Sequence, residues 1–474
     1  MYKELEYDKA LVKCHPTNRQ LVLEQMEFYA FAHFTVNTFT DKEWGDGTEP
    51  ETLFNPTEFN ADQWVDALKS AGIKGLILTC KHHDGFCLWP SAYTEHSVKN
   101  SPFRKGRGDA VREVADACKR GGIGFGIYLS PWDRNCKLYG SEEYNDYFCN
   151  QLTELLTNYG EIFSVWFDGA CGEGPNGKRQ VYDWERYYAL IRRLQPNACI
   201  SICGPDVRWC GNEAGATRPS EWSVLPTGFS NPDEVAKKSQ KTDSSAFREK
   251  KIDERERDLG SRDFLRGNTG LKWHPSETDT SIRPGWFYHE NENGKVRSVD
   301  TLLDIWYRTV GGNSTLLLNI PPDRRGLFHE TDVQRLREMG EYIKRTFAVN
   351  LAEDAIILAD RDDGYHTAEF LREDNYDGYY KPFDGENQVE LTVKLKEAKS
   401  VSHVVIKEHI PMSQRIEGFT IEVKREDGSY REVFSATTVG YKRIAKFNAV
   451  LTDELRIRIT DSRVCPILSF IGIY

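Results

Sequence analysis

The stretch KHHDGFCLWPSAY (81–93) sets two adjacent histidines and an aspartate directly behind a short apolar run. Three chemistries use such a group: a metal centre, a nucleophile with its base, or a polar pocket for a molecule rich in hydroxyls. The ends of the other apolar runs enlarge the set. FYAFAHF (28–34) brings His33, with Phe31 on the same side by alternation, and GFGIYLSP brings Tyr128. IFSVWFDG brings Trp166 and Asp168, and GPDVRWCGNEAG brings Trp209, Asn212 and Glu213. WHPSETD and PGWFYH bring Glu277 and Trp286. Singly, each has an ordinary structural role. A lone histidine is more often a hydrogen-bonded core residue, and Asp168 before Gly169 can simply start a turn. Five or six apolar runs all ending in His, carboxylate and Trp are harder to dismiss.

A metal site would draw on His33, His82, His83 and Asp84. Adjacent residues on a strand point to opposite faces, so His82 and His83 share a face only if the strand ends before them. Neither H-x-H nor H-E-x-x-H spacing is present, and no metal or cofactor is expected. A serine nucleophile would need a sharp turn such as G-x-S-x-G, which is absent. A carboxylate pair set among Trp, His and Tyr meets the needs of glycoside hydrolysis: one carboxylate attacks, and one carboxylic acid of raised pKa protonates the leaving group. Neutral histidines both donate to and accept from hydroxyls, and aromatic rings cover an apolar sugar face.

The elements that must position these residues alternate between helix and strand over the first ~350 residues. Asn60–Ser70 reads as a helix with Asn60 as its cap and Gln63 completing a capping box. Trp64, Ala67, Leu68 and Ala71 form its apolar stripe, Gly72 ends it, and the apolar strand GLILTCK follows. Asp109–Arg120 then GFGIYLSP, and Glu142–Tyr159 then IFSVWFDG, repeat the unit. A further unit ends in ACISICGP, STLLLNIPP is the last strand of the series, and Thr331 opens a closing helix. Strands this apolar on both faces belong to a parallel sheet covered by helices. Such a sheet closes into a (β/α)8-type barrel or opens as a doubly wound sheet; no G-x-G-x-x-G follows the first strand, which weakens the dinucleotide-binding version. After ~350 the period becomes two: Val389, Leu391, Val393 and Leu395 alternate with polar residues, and FTIEV and YREVF flank the turn EDG as a hairpin. The expected division is a barrel over 1–348 and a C-terminal antiparallel β-sandwich over 349–474.

Composition excludes some partners. A net charge of −11 opposes binding to a nucleic-acid backbone or an anionic membrane. No segment approaches 18 consecutive apolar residues. The eleven cysteines show no metal or redox spacing and read as free thiols of a reducing compartment. No signal peptide is visible at the N-terminus, so the expected location is cytoplasmic, or secreted if a signal has been removed.

FAHF, DKEW, KHHDGFCLWPSAY, YLSPW and VWFDG, in that order, resemble the α-L-fucosidases of glycoside hydrolase family 29, across the whole barrel. RWCGNEAG looks like the branch acting on α-1,3- and α-1,4-linked fucose in branched Lewis-type structures. The resemblance implies a retaining, metal-free mechanism. Asp168 matches the nucleophile and Glu213 the acid/base, with Glu277 in reserve. It implies a fucose pocket lined by His33, Glu43, Trp44, His82, His83 and Tyr128, and an apolar wall of Phe31, Trp166 and Trp286 for the sugar methyl. The implied partner is a fucosylated oligosaccharide or glycoprotein glycan. Three rival readings stand beside it: an α-L-fucosidase of broad specificity, a non-catalytic fucose-binding barrel, and a metal-dependent hydrolase, which sensitivity to a chelator would separate.

Overall fold

The computed structural model describes residues 6–252 and 256–474. Eight parallel strands form one sheet: β1 (Phe28–Ala32), β2 (Gly75–Lys81), β3 (Gly124–Leu129), β4 (Ser164–Phe167), β5 (Cys199–Ile202), β6 (Arg208–Trp209), β7 (Ser276–Ser281) and β8 (Ser314–Asn319). Their order is β5-β4-β3-β2-β1-β8-β7-β6. A single parallel bridge between Ser201 and Val207 brings β5 and β6 together, so the sheet nearly closes into a barrel. Every residue of β1, β2, β4, β5, β7 and β8 is buried, as strands with helices outside and packed side chains inside must be.

The outer helices follow the local signals read from the sequence, with two differences at their caps. Helix α1 (Ala61–Ser70) starts at Asn60, whose side chain accepts from the Gln63 N–H at 3.2 Å. The Gln63 side chain does not return to Asn60 to close a box. It donates to the Phe328 carbonyl at 2.9 Å and accepts from the Phe328 N–H at 3.0 Å, tying α1 to the loop after β8. Helix α2 (Ala110–Gly121) is capped by Asp109 and stopped by Gly122 at φ +70°, a conformation that favours glycine. Helices α3 (Glu143–Asn158), α4 (Trp184–Leu194) and α5 (Val299–Thr309) precede α6 (Glu330–Thr346). Thr331 does not cap α6. His329 does, its Nδ1 accepting from the Thr331 N–H at 3.2 Å.

The barrel is regular from β1 to β5 and irregular afterwards. No helix separates β5 from β6: the chain turns at Ile202 (φ +69°) and, after a short loop, re-enters the sheet in the same direction. Asp206 holds this turn, accepting from the Ile200 N–H at 2.8 Å and pairing with Arg19 and Arg192. Between β6 and β7 lies a long excursion, residues 210–275. It contains short helices and a two-stranded ribbon, Val224–Pro226 with Leu271–Trp273.

The C-terminal part holds β9 (Ile356–Ala359), β10 (Val389–Glu408), β11 (Ile416–Lys424), β12 (Tyr430–Ala436), β13 (Arg443–Ser462) and β14 (Leu468–Ile473). All pairings are antiparallel, in the order β9-β10-β13-β11-β12, with β14 on the second half of β10. β10 and β13 run 20 residues each and change register at Lys394/Lys399 and Val401/His403. Both halves of the long strands contribute to one core that includes Leu391, Val404, Phe419 and Ile457. This is the β-sandwich read from the period-two pattern, and Lys424 pairs with Tyr430 across its expected hairpin. The sandwich is joined to the barrel. Val405, Ile444 and Phe470 lie in the barrel's outer core, and the Tyr441 N–H donates to Asn313 Oδ1 at 2.7 Å. All eleven cysteines are free. Among the described residues no helix is long and apolar enough to cross a membrane.

Candidate active site

The C-terminal strand ends open onto a cleft of about 570 Å³. β2 ends at Lys81, so the chain leaves the strand's alternation before the histidines. His82 and His83 consequently both line the cleft, with ring centroids 4.1 Å apart. Their neighbours do other work. Lys81 Nζ points away, donating to Asp133 and Gln151 at 3.0 Å each. Asp84 holds the next turn, accepting from the Phe86 N–H at 2.7 Å and from Thr35.

Hydrogen bonds fix which nitrogen of two cleft histidines carries the proton. Ser130 Oγ donates to the Trp132 carbonyl at 2.6 Å, so it accepts from His83 Nδ1–H at 2.8 Å. Asn319 Nδ2 donates to Ser281 Oγ and to the Trp286 carbonyl, leaving its Oδ1 to accept from His33 Nδ1–H at 2.8 Å. Burial lowers the His33 pKa to about 4 and the His83 pKa to about 3, the latter helped by the Arg134 charge. Burial also holds His82 well below its ordinary value. All three rings are neutral near pH 7, and His33 and His83 keep Nε2 as a bare acceptor. Such acceptors suit hydroxyl donors. Among the described residues, no three or more His, Cys, Asp or Glu side chains are gathered as a metal site requires.

The apolar side of the cleft is a set of aromatic rings. Phe31 lies edge-on to Trp166 at 5.0 Å and to Trp286 at 6.4 Å. Trp44, from the loop after β1, meets His83 at 5.2 Å and Trp132 at 5.5 Å. Phe31, His33, Trp44, Trp166 and Trp286 all line the cleft.

Two of the carboxylates expected from the sequence reach it. Asp168, one residue beyond β4, accepts from the Ala170 N–H at 2.7 Å and from the Tyr128 hydroxyl at 2.9 Å, and lies 3.8 Å from His83 Nε2. Burial raises its pKa, while those two donors pull it back. Glu213, from the excursion, accepts from the Trp286 indole N–H at 2.9 Å. Burial raises it to about 7; the Trp286 donor opposes the shift and the Asp168 charge adds to it. One cleft thus holds a carboxylate with two donors and a carboxyl kept protonated near neutrality.

Three other residues sit elsewhere. Tyr128 lies behind Asp168, fully buried: its hydroxyl holds that carboxylate and its ring stacks on Trp166 and His82, but it does not line the cleft. Glu43 faces the turn at 286–289, accepting from the Trp286 N–H at 2.8 Å, the Phe287 N–H at 3.0 Å and His289 at 2.8 Å. Glu277 is below the floor, fully buried, accepting from the Trp166 indole at 2.7 Å and from the Tyr29 hydroxyl. Burial raises it to about 7, but it does not line the cleft. Several residues that do line it were not singled out from the sequence, among them Ala170, Ile202, Ser239, Gln240 and Asp279. Asp279 was within reach, since it shares a strand face with Glu277 two positions earlier. Ser239 and Gln240 come from the patternless excursion, which gives no such signal.

A family model described as alpha-L-fucosidase matches residues 12–347. The chain is 40% identical to alpha-L-fucosidase 1 of Arabidopsis thaliana over 99% of this chain and 91% of that one. It resembles a crystal structure from Bacteroides ovatus with 46% identity and a TM-score of 0.85, covering 100% of this chain and 76% of that one. It also resembles a Ruminococcus gnavus family 29 fucosidase solved in complex with fucose, with 30% identity, a TM-score of 0.82, and 97% and 95% of the two chains covered.

Proposed function

The chain belongs to the α-L-fucosidases of glycoside hydrolase family 29, and on that footing we propose that it is an exo-acting, retaining enzyme. Its substrate in this reading is terminal α-1,3- or α-1,4-linked L-fucose on branched, Lewis-type glycans. The observation that carries the mechanism is the division of labour between two carboxyls in one cleft. Asp168 is oriented by two donors that oppose the rise burial causes in its pKa, while Glu213 stays protonated to about pH 7. An Asp168 oxygen attacks the anomeric carbon of fucose. The glycosidic C–O bond breaks and the departing oxygen takes the Glu213 proton. The β-fucosyl ester on Asp168 is then opened by water, whose proton goes to the Glu213 carboxylate, and L-fucose leaves with its α configuration retained. His33 and His83 accept from sugar hydroxyls through Nε2. Phe31, Trp166 and Trp286 cover the apolar edge and methyl.

The linkage preference rests on the GNEAG segment and on where Glu213 comes from. It stands on an excursion rather than on a strand, so contacts to the sugar beyond fucose help to place the acid. The test is kcat/KM on a Lewis trisaccharide, a 2'-fucosyllactose-type α-1,2 linkage, an α-1,6 linkage and an aryl fucoside. Preference for the trisaccharide is the expected result. Preference for the aryl or α-1,2 substrate would leave a broad-specificity α-L-fucosidase, and absence of fucose release from any of them would leave only a binding barrel.

A further inference from the structure

Trp286 performs two tasks in the cleft. Its ring lies beside Phe31, and its indole N–H holds Glu213 Oε2 at 2.9 Å. A ring with two tasks needs a fixed backbone, and the backbone here is held at both ends. Asn319 donates to the Trp286 carbonyl at 2.7 Å, and Glu43 accepts from the Trp286 N–H at 2.8 Å. Glu43 is itself held. His289 Nε2 lies 2.8 Å from Glu43 Oε1, and His289 Nδ1 lies 2.8 Å from Asp41 Oδ1. Both partners are carboxylates, so both ring nitrogens donate and the ring is an imidazolium. The Glu43 hydrogen bond, assisted by Asp41, raises the His289 pKa to about 9 against the opposing effect of burial. The other charged groups around this pair are Glu292, Arg248 at 3.7 Å from Glu43, and Arg324 at 4.0 Å from Asp41. Arg248 also donates to the Pro284 carbonyl at 3.1 Å, fastening the excursion to the same turn. Gly285 leaves the room required: a Cβ there would lie 2.5 Å from Glu43 Oε1 and 3.0 Å from His289 Cδ2.

We infer that His289 and Glu43 are positioning residues for the leaving-group proton, acting through Trp286 on Glu213. The inference rests on the acid/base role proposed for Glu213. The loop after β1 and the turn after β7 form one clamp, and the acid hangs from its far side. The clamp matters for bond cleavage only where the leaving group needs a proton.

The experiment compares kcat/KM on a Lewis trisaccharide with that on 2-chloro-4-nitrophenyl α-L-fucoside, whose phenolate leaves unassisted. His289→Ala is expected to cost about tenfold or more on the trisaccharide but under about threefold on the aryl substrate. The alkaline limb should also move to higher pH, because a carboxylate that loses its indole donor holds its proton more tightly. Trp286→Phe should give the same split, and adding His289→Ala to it should not widen the split further. Equal losses on both substrates, or a split that widens in the Trp286→Phe background, overturn the inference. Glu213→Ala is the control for the underlying reading: if it shows no leaving-group split, the acid role fails whatever His289 does. Should His289→Ala not fold, Gly285→Ala presses on the clamp from its other side. The same split is expected there, and equal losses again overturn the inference.

Discussion

Asp168 and Glu213, the cleft carboxyls assigned to the proposed chemistry, are held by opposite kinds of architecture. Asp168 stands one residue beyond β4, in the regular half of the barrel, and its donors are a backbone N–H two residues on and a tyrosine of the neighbouring strand. Glu213 stands on an excursion that follows a strand of two residues, and its donor comes from a separate turn. The first position is fixed by repeating backbone geometry. The second is fixed by a chain of side chains: Asn212 within the excursion, and Trp286, Glu43 and His289 outside it. In the roles proposed for them, an attacking group that must meet one carbon needs the stiffer mount, whereas an acid that must meet different leaving groups tolerates a mount made of replaceable contacts.

Removing the stiff side should have the largest effect. Asp168→Gly is expected to lower kcat on any fucoside by about 10⁴-fold or more. Azide should restore part of the activity and yield β-fucosyl azide; product analysis by NMR checks both, and high residual activity without azide would remove Asp168 from the nucleophile role. On the other side, Asn212 accepts from the Ala214 and Ala216 N–H groups at 3.0 and 3.1 Å and donates to the Ala216 carbonyl at 2.8 Å. Asn212→Ala should lower kcat/KM on the trisaccharide by about 10- to 100-fold through misplacement of Glu213, with little change in Tm. An equal loss on an activated aryl fucoside would show that the excursion does more than carry the acid.

A smaller effect lies in the pH profile. Glu213 must be protonated to donate, so kcat/KM should fall above about pH 7, and its removal should flatten that limb. A limb that persists unchanged in Glu213→Ala belongs to another group. The smallest effect concerns hydroxyl recognition. Ser130→Ala removes the acceptor that sets the His83 tautomer, a loss of about 1 kcal/mol, or roughly fivefold, read mainly in KM.

The same division decides what the sequence made legible. His33, His82, His83, Trp166 and Asp168 end strands whose apolar runs and caps are local signals, and all five line the cleft. His82 and His83 share it because β2 stops one residue earlier, the condition the alternation argument required. Glu213 was visible in the segment that follows an apolar run, but its role came from resemblance alone, since no periodicity marks residues 210–275. The same want of pattern hid Ser239 and Gln240. Glu43 and Tyr128 show a further limit: a strand-end or loop position says which region a residue joins, and hydrogen-bond competition decides which way its oxygens face. The capping residues show this on a smaller scale. Gln63 and Thr331 have the right spacing, but Phe328 and His329 make the contacts.

The order of strands has a consequence for how the protein is made. β1 pairs with β8, placing Phe28 against Leu316, about 290 positions later in the chain. At about 5–20 residues per second a ribosome needs roughly 15 to 60 s to supply that partner. Until then an entirely apolar strand edge has one neighbour, β2, and an unpaired row of backbone donors and acceptors on its other side. Synthesis of this chain therefore includes a long interval in which its first strand is its main aggregation hazard. A chain cut short before β8 should remain bound to chaperones or precipitate, even though every strand up to β7 is present.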